Sequence, residues 1–396
     1  MKPITSRYIH IAVTITLLLT LAALITAYRA RNAPVQRDPL ADWPAIAGPD
    51  EMKTPEELYA AALDEGILIV YTTSTRAIDV AASFEKRYPG LIVKVEHLRE
   101  FEMYDALLRN YDSESFACDV IISADARAIM ENEFLPKNIA VKYVPHDMRD
   151  LILPGNNEEL LMLAGEAPML QYNEQYYAAP PVNNWWELTE EKWRGMVYMP
   201  SPTRSVTTFG FMNMILKQSG EMAAAYEDLF GVPLELEEGE TAGREFIRRL
   251  ASNDLLIVNS SDEAAEFVGA PGSSSPYLGI VISSKTRLRD IGYEMVNHFD
   301  MEPFCGVYTP ISVMMAGGSK NVNAAALFIR WILGEADGQG EGYEPYLQSG
   351  AWSVRSDVRD DTGTRSEELN LRYLDKAYIY ASYDDALAFW EELMGR

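Results

Sequence analysis

Hydroxyl-bearing and charged side chains follow several apolar runs of this chain, at the point where each run ends. Thr72–Arg76 comes directly after the apolar run Ile67–Tyr71, and Ser123–Asp125 ends the run that begins at Asp119. Each of these polar turns precedes a segment with helical spacing. Free N–H groups at a helix start receive an anion or a carbonyl oxygen, so the turns are candidates for ligand binding. The alternative is that the hydroxyls only cap their helices.

The second half of the chain repeats this arrangement of apolar run and polar turn. Ser201–Thr208 precedes a helical segment, and Ser260–Asp262 caps the helix after it. The apolar run Tyr277–Ser283 ends at Ser284 and Lys285. The basic side chains at such turns are Arg76, Arg204 and Lys285. They favour a ligand that carries a carboxylate or a phosphonate, which charged donors bind strongly.

Sequence motifs for catalysis are not found. The histidines are His10, His97, His146 and His298, and none has a partner at metal-ligand spacing. The sequence holds no His-Glu-x-x-His, no Gly-x-Ser-x-Gly and no phosphate-binding Gly-Lys-Ser/Thr loop. An enzyme is therefore the disfavoured class, and neither a cofactor nor a metal ion is expected.

Composition limits the partners. The 396 residues leave room for two or three domains. With 34 basic and 59 acidic residues the net charge is −25, which argues against a nucleic-acid partner, because phosphate contacts need a basic surface. Two cysteines, Cys118 and Cys305, exclude a disulfide framework. Two buried thiols are favoured over one bridge between them.

The elements that must position the polar turns follow from periodicity. Thr54–Glu57 has the pattern of a capping box with proline at the first helical position. Strand and helix signals then alternate, which predicts an α/β fold with a largely parallel sheet. In such sheets ligands bind at the carboxyl ends of the strands, where the polar turns lie.

Residues 171–202 carry three tryptophans within nine positions. Asn184 is placed to cap a short helix and Gly195 to end it, and Met196–Met199 has the pattern of a buried strand. Tryptophans bury large apolar surfaces, so this stretch is either a core segment or a hinge region between two lobes. Trp185 is expected to face the core rather than a cleft.

The N-terminus resembles a targeting segment. Between Arg7 and Arg29 lie 21 residues without formal charge, and a membrane span needs about 20. No small-residue cleavage site follows, so an uncleaved signal anchor is favoured over a cleaved signal peptide. The expected location is extracytoplasmic, anchored to the cytoplasmic membrane, or periplasmic if the segment is cleaved. Residues 30–50, rich in proline, are expected to form an extended tether.

Ordered motifs over residues 64 to 358 resemble one family. The matching segments are Glu65–Tyr71, Phe84–Gly90, Asp119-Val120, Tyr172-Asn173, Asn184–Thr189, Lys192–Gly195, Tyr308–Val313, Ala316–Asn321 and Ser349–Val358. In this order they resemble the extracellular solute-binding proteins of ABC importers, in the group that includes ferric-iron, thiamine and phosphonate binders. The motifs are fairly specific for the fold and broad role, and weak for the ligand.

The resemblance implies the two-lobed type II periplasmic-binding-protein fold with crossing hinge strands. It places the first lobe at 51–171, the second at 172–307, and the rest of the first lobe with the C-terminal helices at 308–396, behind a signal segment at 1–29. A small ligand would lie between the lobes, and an ABC permease would recognise the closed form. Carried over by position, or standing beside those positions, the candidate ligand-binding residues are Ser74, Thr75, Arg76, Ser123, Asp125, Tyr172, Thr203, Arg204, Ser205, Ser261 and Lys285.

The chain departs from the iron binders of this group. They present adjacent tyrosines in the second lobe, whereas the tyrosines here are separated, at Tyr277, Tyr293 and Tyr308. Tyr176-Tyr177 is adjacent but lies too early in the chain. Iron(III) needs hard, negatively charged oxygen ligands, so an iron binder is disfavoured. A membrane-tethered ligand sensor or scaffold with the same fold is the other alternative, and a monomer is expected.

Overall fold

The computed structural model describes residues 38–47 and 52–395. The α-helices are α1 (Trp43–Ala47), α2 (Pro55–Ala62), α3 (Ala77–Arg87), α4 (Glu100–Asp112), α5 (Val206–Lys217), α6 (Ser219–Phe230), α7 (Ala242–Ser252), α8 (Ser261–Gly269), α9 (Val322–Ile332) and α10 (Lys376–Met394). A π-helix spans Met130–Phe134. Short 3-10 helices span Leu135–Lys137, His146–Leu151, Trp185–Thr189, Glu191–Trp193, Ser283–Ile291, Glu344–Tyr346 and Ser366–Glu368.

The strands form two mixed sheets that share one long strand. They are β1 (Leu68–Thr72), β2 (Val93–His97), β3 (Val120–Ser123), β4 (Ala140–Val141), β5 (Leu161–Glu166), β6 (Pro168–Asn173), β7 (Val197–Pro200), β8 (Leu256–Val258), β9 (Leu278–Ile282), β10 (Met295–Asn297), β11 (Gly306–Ala316), β12 (Trp352–Ser353) and β13 (Leu371–Tyr373). In one sheet β1 runs parallel to both β2 and β3, and β11 pairs antiparallel with β3 and β5. In the other, β7 runs parallel to β8 and β9, and β6 pairs antiparallel with β9 and β10. The expected α/β class is confirmed.

Two segments cross from one sheet to the other. Strands β5 and β6 are separated only by Ala167, yet β5 pairs in the first sheet and β6 in the second. Strand β11 pairs with β6 and β13 at its start and with β5, β3 and β4 further on. These antiparallel crossings connect two lobes, each with its own sheet and apolar core, as a hinged two-lobe fold requires.

The apolar cores follow the two sheets. The core of the first lobe contains Phe84 and Phe328, packed edge to face with ring centroids 5.2 Å apart. The core of the second lobe contains Trp185, Phe211 and the apolar face of α10. The sequence division assigned residues 308–396 to the rest of the first lobe and the C-terminal helices, and of these helix α10 packs on the second lobe. Periodicity identifies an apolar helix face but does not say which core it covers.

The tryptophan-rich stretch lies in the core of the second lobe. Trp185 and Trp186 are fully buried, and their indole N–H groups donate to the carbonyl oxygens of Phe304 and Met222, both at 2.7 Å. Asn184 caps the 3-10 helix Trp185–Thr189, since its side chain accepts from the Trp186 N–H at 3.0 Å. The expectation that Trp185 faces the core is confirmed.

Several local expectations differ from the structure. The segment after Asp125 was expected to be an ordinary helix and instead contains the π-helix Met130–Phe134. After Arg355, the C-terminal helices expected within 308–396 are the short 3-10 helix Ser366–Glu368 and one long helix, α10, with strand β13 between them. Strand β5 and helix α6 were not predicted. Their apolar residues are short runs, which periodicity does not separate from loops.

The expected membrane span between Arg7 and Arg29 lies outside the described residues. Among residues 38–47 and 52–395, no helix is both long enough and apolar enough to cross a membrane. The tether expected at 30–50 is described only at 38–47, and there it is not extended. Leu40 is buried in the first lobe, and the Trp43 indole N–H donates to the Ser319 carbonyl oxygen at 3.2 Å. Burial of Leu40 and partial burial of Trp43 explain why this part docks.

Candidate functional site

The carboxyl ends of six strands meet around one cavity between the lobes. Turns after β1, β2 and β3 form the wall of the first lobe, and turns after β7, β8 and β9 form that of the second. The cavity has a volume of about 420 Å³, within the range of small-molecule sites. Its charged lining side chains are Arg76, Arg99, Glu100, Arg127, Glu166, Arg204, Asp262, Lys285 and Arg287.

Charge in this cavity is opposite to that of the whole chain. Six of the lining side chains are basic and three are acidic, whereas the chain carries a net charge of −25. A cleft lined by one sign of charge focuses the electrostatic field and concentrates ions of the opposite sign. The cavity wall is therefore suited to an anion.

Arg76 lies in the turn between β1 and α3 and is held on three sides. Its Nε donates to the Ser74 hydroxyl at 3.2 Å, and its Nη2 lies 2.6 Å from the Glu166 carboxylate. The guanidinium carbon stacks 4.5 Å from the centre of the Tyr346 ring. The remaining nitrogen, Nη1, is buried and has no hydrogen-bond partner within the described chain. This donor is fixed in place at the cavity wall and lacks an acceptor.

Lys285 and Arg287 face the cavity from the turn after β9. Burial lowers the pKa of Lys285, and the neighbouring Arg287 lowers it further. Burial likewise lowers the pKa of Arg287, and repulsion from Arg76 across the cleft lowers it further. Asp262 forms an ion pair with Lys285, but most of the Asp262 side chain is exposed. An anion bound between these cations would relieve their mutual repulsion.

A buried carboxyl pair lies at another part of the first-lobe wall. The Ser123 hydroxyl donates to Glu100 at 2.8 Å, and the Tyr104 hydroxyl donates to Asp125 at 3.1 Å. Burial raises the pKa of Glu100 to about 7, with a further contribution from Asp125. Burial also raises the pKa of Asp125 to about 6, although Lys376 opposes this shift. Both groups therefore titrate near neutral pH.

Most of the candidate residues come together at the cavity. Those that line it are Ser74, Thr75, Arg76, Thr203, Arg204, Ser205, Ser261 and Lys285. Capping also occurs here, because Ser205 accepts from the Thr208 N–H at 3.3 Å and so caps α5. In α8 the cap is Ser260, which leaves the Ser261 hydroxyl without that task.

Three candidates do not line the cavity. Ser123 and Asp125 are fully buried behind the wall, where they hold Glu100 and the start of the π-helix segment. Tyr172 on β6 points elsewhere, and its ring packs edge to face against Tyr177 and His298, each at 6.3 Å between centroids. The direction of a strand side chain depends on pairing, which the sequence pattern alone does not give.

Other lining residues were missed by the sequence analysis. Arg287 stands two positions after Lys285 in the same turn, and Glu166 is a charged residue that ends an apolar strand. Both patterns are visible in the sequence. Glu100, Arg127 and Tyr383 gave no such signal, because their roles depend on contacts between distant segments.

Metal-ligating side chains are not clustered in the part of the chain that the structure describes. Across residues 38–47 and 52–395 no group of three or more histidine, cysteine, aspartate or glutamate side chains is placed to hold a metal ion. The adjacent Tyr176 and Tyr177 pack ring against ring at 4.7 Å, and the Tyr177 hydroxyl donates to the Pro276 carbonyl oxygen at 2.7 Å. Neither tyrosine lines the cavity. Cys118 and Cys305 are buried and unpaired.

Solved structures with the same architecture decide the fold. Iron-bound HitA from Pseudomonas aeruginosa superposes with a TM-score of 0.60 at 18% identity, over 83% of this chain and 99% of HitA. This chain has the type II periplasmic-binding-protein fold. The resemblance to this group in the sequence is thereby confirmed at the level of fold.

Two further structures share the periplasmic-binding-protein fold. The substrate-binding protein of an ABC transporter from Agrobacterium tumefaciens has a TM-score of 0.61 at 14% identity, over 84% of this chain and 94% of that one. AfuA from Actinobacillus pleuropneumoniae, with fructose-6-phosphate bound, has a TM-score of 0.61 at 14% identity, over 84% and 99%. No protein-family model and no curated protein sequence matches this chain.

Proposed function

We propose that this protein is the extracytoplasmic solute-binding component of an ABC importer and captures a small anionic ligand between its lobes. The observation that carries the proposal is the cationic wall of the cavity. Arg76 offers a buried, unpartnered N–H donor, and Lys285 and Arg287 crowd against it from the other lobe. In a chain of net charge −25, this local excess of positive charge favours the binding of an anion.

Capture follows from the placement of these groups on two lobes. Arg76 belongs to the first lobe and Lys285 to the second, so an anion that contacts both is held best when the lobes close. A ligand with higher affinity for the closed form shifts the population toward it. The crossing strands β5–β6 and β11 connect the lobes and are the expected hinge for this motion. An importer permease would then bind the closed form.

The ligands named for the structural relatives differ in charge and do not select one for this chain. AfuA holds fructose-6-phosphate, and HitA holds iron. Iron is disfavoured for this chain, since the cavity wall offers more cations than carboxylates and lacks paired tyrosines. Binding rather than catalysis is proposed. The cations that line the cavity are suited to holding an anion.

The test is a thermal-shift screen of the full-length chain with phosphonates, phosphate esters, small carboxylates, thiamine, polyamines and ferric salts. A specific ligand at 100 times its Kd stabilises the folded state by about 2.7 kcal/mol. Anions are expected to raise the Tm and polyamines are not. A shift with polyamines or ferric salts alone would contradict the proposal.

The matched variants are Lys285→Ala and Lys86→Ala. Lys285→Ala removes one cavity cation and should weaken binding of the anion found in the screen by about tenfold, the effect of one charge-assisted hydrogen bond. Lys86 forms an exposed ion pair with Glu341 far from the cavity, so Lys86→Ala should bind as the wild type does. Equal affinity in all three proteins would exclude Lys285 from the site.

A membrane-tethered sensor with the same binding step is the second candidate. It is favoured by the uncharged segment between Arg7 and Arg29, which suits a signal anchor. Uptake of the labelled ligand by intact cells distinguishes the two. Loss of uptake on deletion of the protein supports the importer, whereas unchanged uptake with an altered transcriptional response supports the sensor.

A further inference from the structure

The C-terminal helix α10 belongs to the core of the second lobe. Ile379, Phe389 and Trp390 are buried in that core, and the Tyr383 ring packs on Phe209 with centroids 4.9 Å apart. Asn213 of α5 and Ser382 of α10 are hydrogen bonded at 3.2 Å. This apolar packing fixes the position of the helix on the second lobe.

The other face of α10 reaches across to the first lobe. The guanidinium of Arg127 lies 3.8 Å from the centre of the Tyr383 ring. Lys376 forms an ion pair with Glu131, and the Tyr380 hydroxyl lies 3.2 Å from a Glu133 carboxylate oxygen. The helix therefore joins the lobes at a place separate from the crossing strands.

Arg127 and Tyr383 both line the ligand cavity. Arg127 follows β3, next to β1 and its Arg76, so both arginines stand on the same edge of the first sheet. The Nε of Arg127 is buried and has no hydrogen-bond partner among the residues described. A guanidinium laid on an aromatic ring keeps its N–H edges free for a ligand oxygen. Such a buried donor is costly unless an acceptor meets it.

We propose that Tyr383 is a positioning residue, which holds Arg127 at the cavity wall so that Arg127 binds a second oxygen-bearing group of the ligand. The inference rests on the proposed function, because it assigns a further part of the same site. The ligand then carries an anion for Arg76, Lys285 and Arg287, and a separate acceptor oxygen for Arg127. Through Tyr383, the C-terminal helix becomes a third wall of the site.

Two probes of different length separate the two parts of the cavity. Inorganic phosphate is expected to occupy only the part formed by Arg76, Lys285 and Arg287, whereas 3-phosphoglycerate also offers hydroxyl and carboxylate oxygens to Arg127. Their affinities are measured by isothermal titration calorimetry with the full-length chain. The variants are Arg127→Ala, Tyr383→Ala, Tyr383→Phe and the double alanine variant.

The expected losses concern 3-phosphoglycerate alone. Arg127→Ala should weaken its binding about tenfold, as expected for a lost charge-assisted hydrogen bond. Tyr383→Ala should weaken it roughly fivefold, and Tyr383→Phe should restore wild-type affinity because the ring remains. The double variant should bind within about twofold of Arg127→Ala, since the two residues act as one unit. Phosphate affinity should stay unchanged in all four variants.

The control is Tyr380→Ala, on the same helix but outside the cavity lining. It should bind both probes as the wild type does. Equal losses for both probes, additive effects in the double variant, or failure of Tyr383→Phe to restore binding would overturn the inference and leave the proposed function intact. If the wild-type protein binds neither probe, both the inference and the anionic ligand of the proposed function are contradicted. If it binds phosphate but not 3-phosphoglycerate, the inference is contradicted and the proposed function stands.

Discussion

Two arginines of the first lobe, Arg76 and Arg127, rest on tyrosine rings in different ways. Arg76 stacks on Tyr346, which is part of the core of its own lobe, and pairs with the buried Glu166. Arg127 stacks on Tyr383, which belongs to the opposite lobe. The contact of Arg76 with Tyr346 lies within one lobe, whereas the contact of Arg127 with Tyr383 exists only while the two lobes keep their present relative position.

The difference separates a fixed anchor from one that depends on conformation. Arg76 keeps its place when the lobes move, so it can meet the ligand in the open form. The Arg127 contact changes when α10 moves relative to β3, so it reports on closure. The carboxylates beside the two arginines differ as well. Glu166 forms an ion pair with Arg76, whereas Glu100 near Arg127 accepts a hydrogen bond from the neutral Ser123 hydroxyl.

The largest expected effect comes from removal of the fixed arginine. Arg76→Met leaves the buried Glu166 without its ion-pair partner, and breaking a buried pair costs about 3 kcal/mol of unfolding free energy. Both side chains are about nine-tenths buried, so solvent does not compensate. Chemical denaturation of the variant measures the loss.

The double variant Arg76→Met with Glu166→Leu is the control for this loss. It should recover most of the stability, because no charge remains buried without a partner. If the double variant is as unstable as Arg76→Met, stacking on Tyr346 rather than the ion pair provides the stability. The ion pair with Glu166 would then not distinguish Arg76 from Arg127.

The next effect concerns pH at the Arg127 side. Burial raises the pKa of Glu100 to about 7, against about 4.3 in the unfolded chain. The folded state therefore binds an extra proton between these pH values, and stability falls as pH rises through this window. The groups that face Glu100 are Asp125, Arg127, Tyr104 and Ser123.

Glu100→Gln removes the titrating group and should flatten this dependence. Between pH 5 and pH 8 the unfolding free energy of the wild type should fall by about 2 kcal/mol more than that of Glu100→Gln. Denaturation curves at several pH values measure the difference. Glu227→Gln, on an exposed helix face, is the matched control and should keep the slope of the wild type. Equal slopes in all three proteins would show that Glu100 does not titrate in this window.

The smallest effect is expected at the cavity rim. Arg204 is exposed, so Arg204→Ala should change the unfolding free energy by less than about 0.5 kcal/mol. Its effect on anion binding should be about twofold, because an exposed charge is screened by solvent and salt. Calorimetry at low and at high salt measures the change in unfolding free energy and the change in anion affinity. A tenfold loss of affinity would place Arg204 among the anchors and weaken the contrast between buried and exposed cations.

Much of the site could be predicted because the polar turns are local features. Ser74, Arg76, Thr203 and Lys285 each follow an apolar strand, and the carboxyl ends of parallel strands face one side of a sheet. Tyr172 does not line the cavity, for a physical reason. Its strand pairs on both edges, and the register turns its ring toward His298.

The α/β class, the caps of the helices and the positions of most polar turns follow from the amino-acid sequence. They depend on neighbours within a few residues, through periodicity, side-chain capping and turn chemistry. That Glu166 pairs with Arg76 and that Tyr383 contacts Arg127 emerges only in the folded chain. Those contacts join segments far apart in the chain, and packing of the whole fold brings them together.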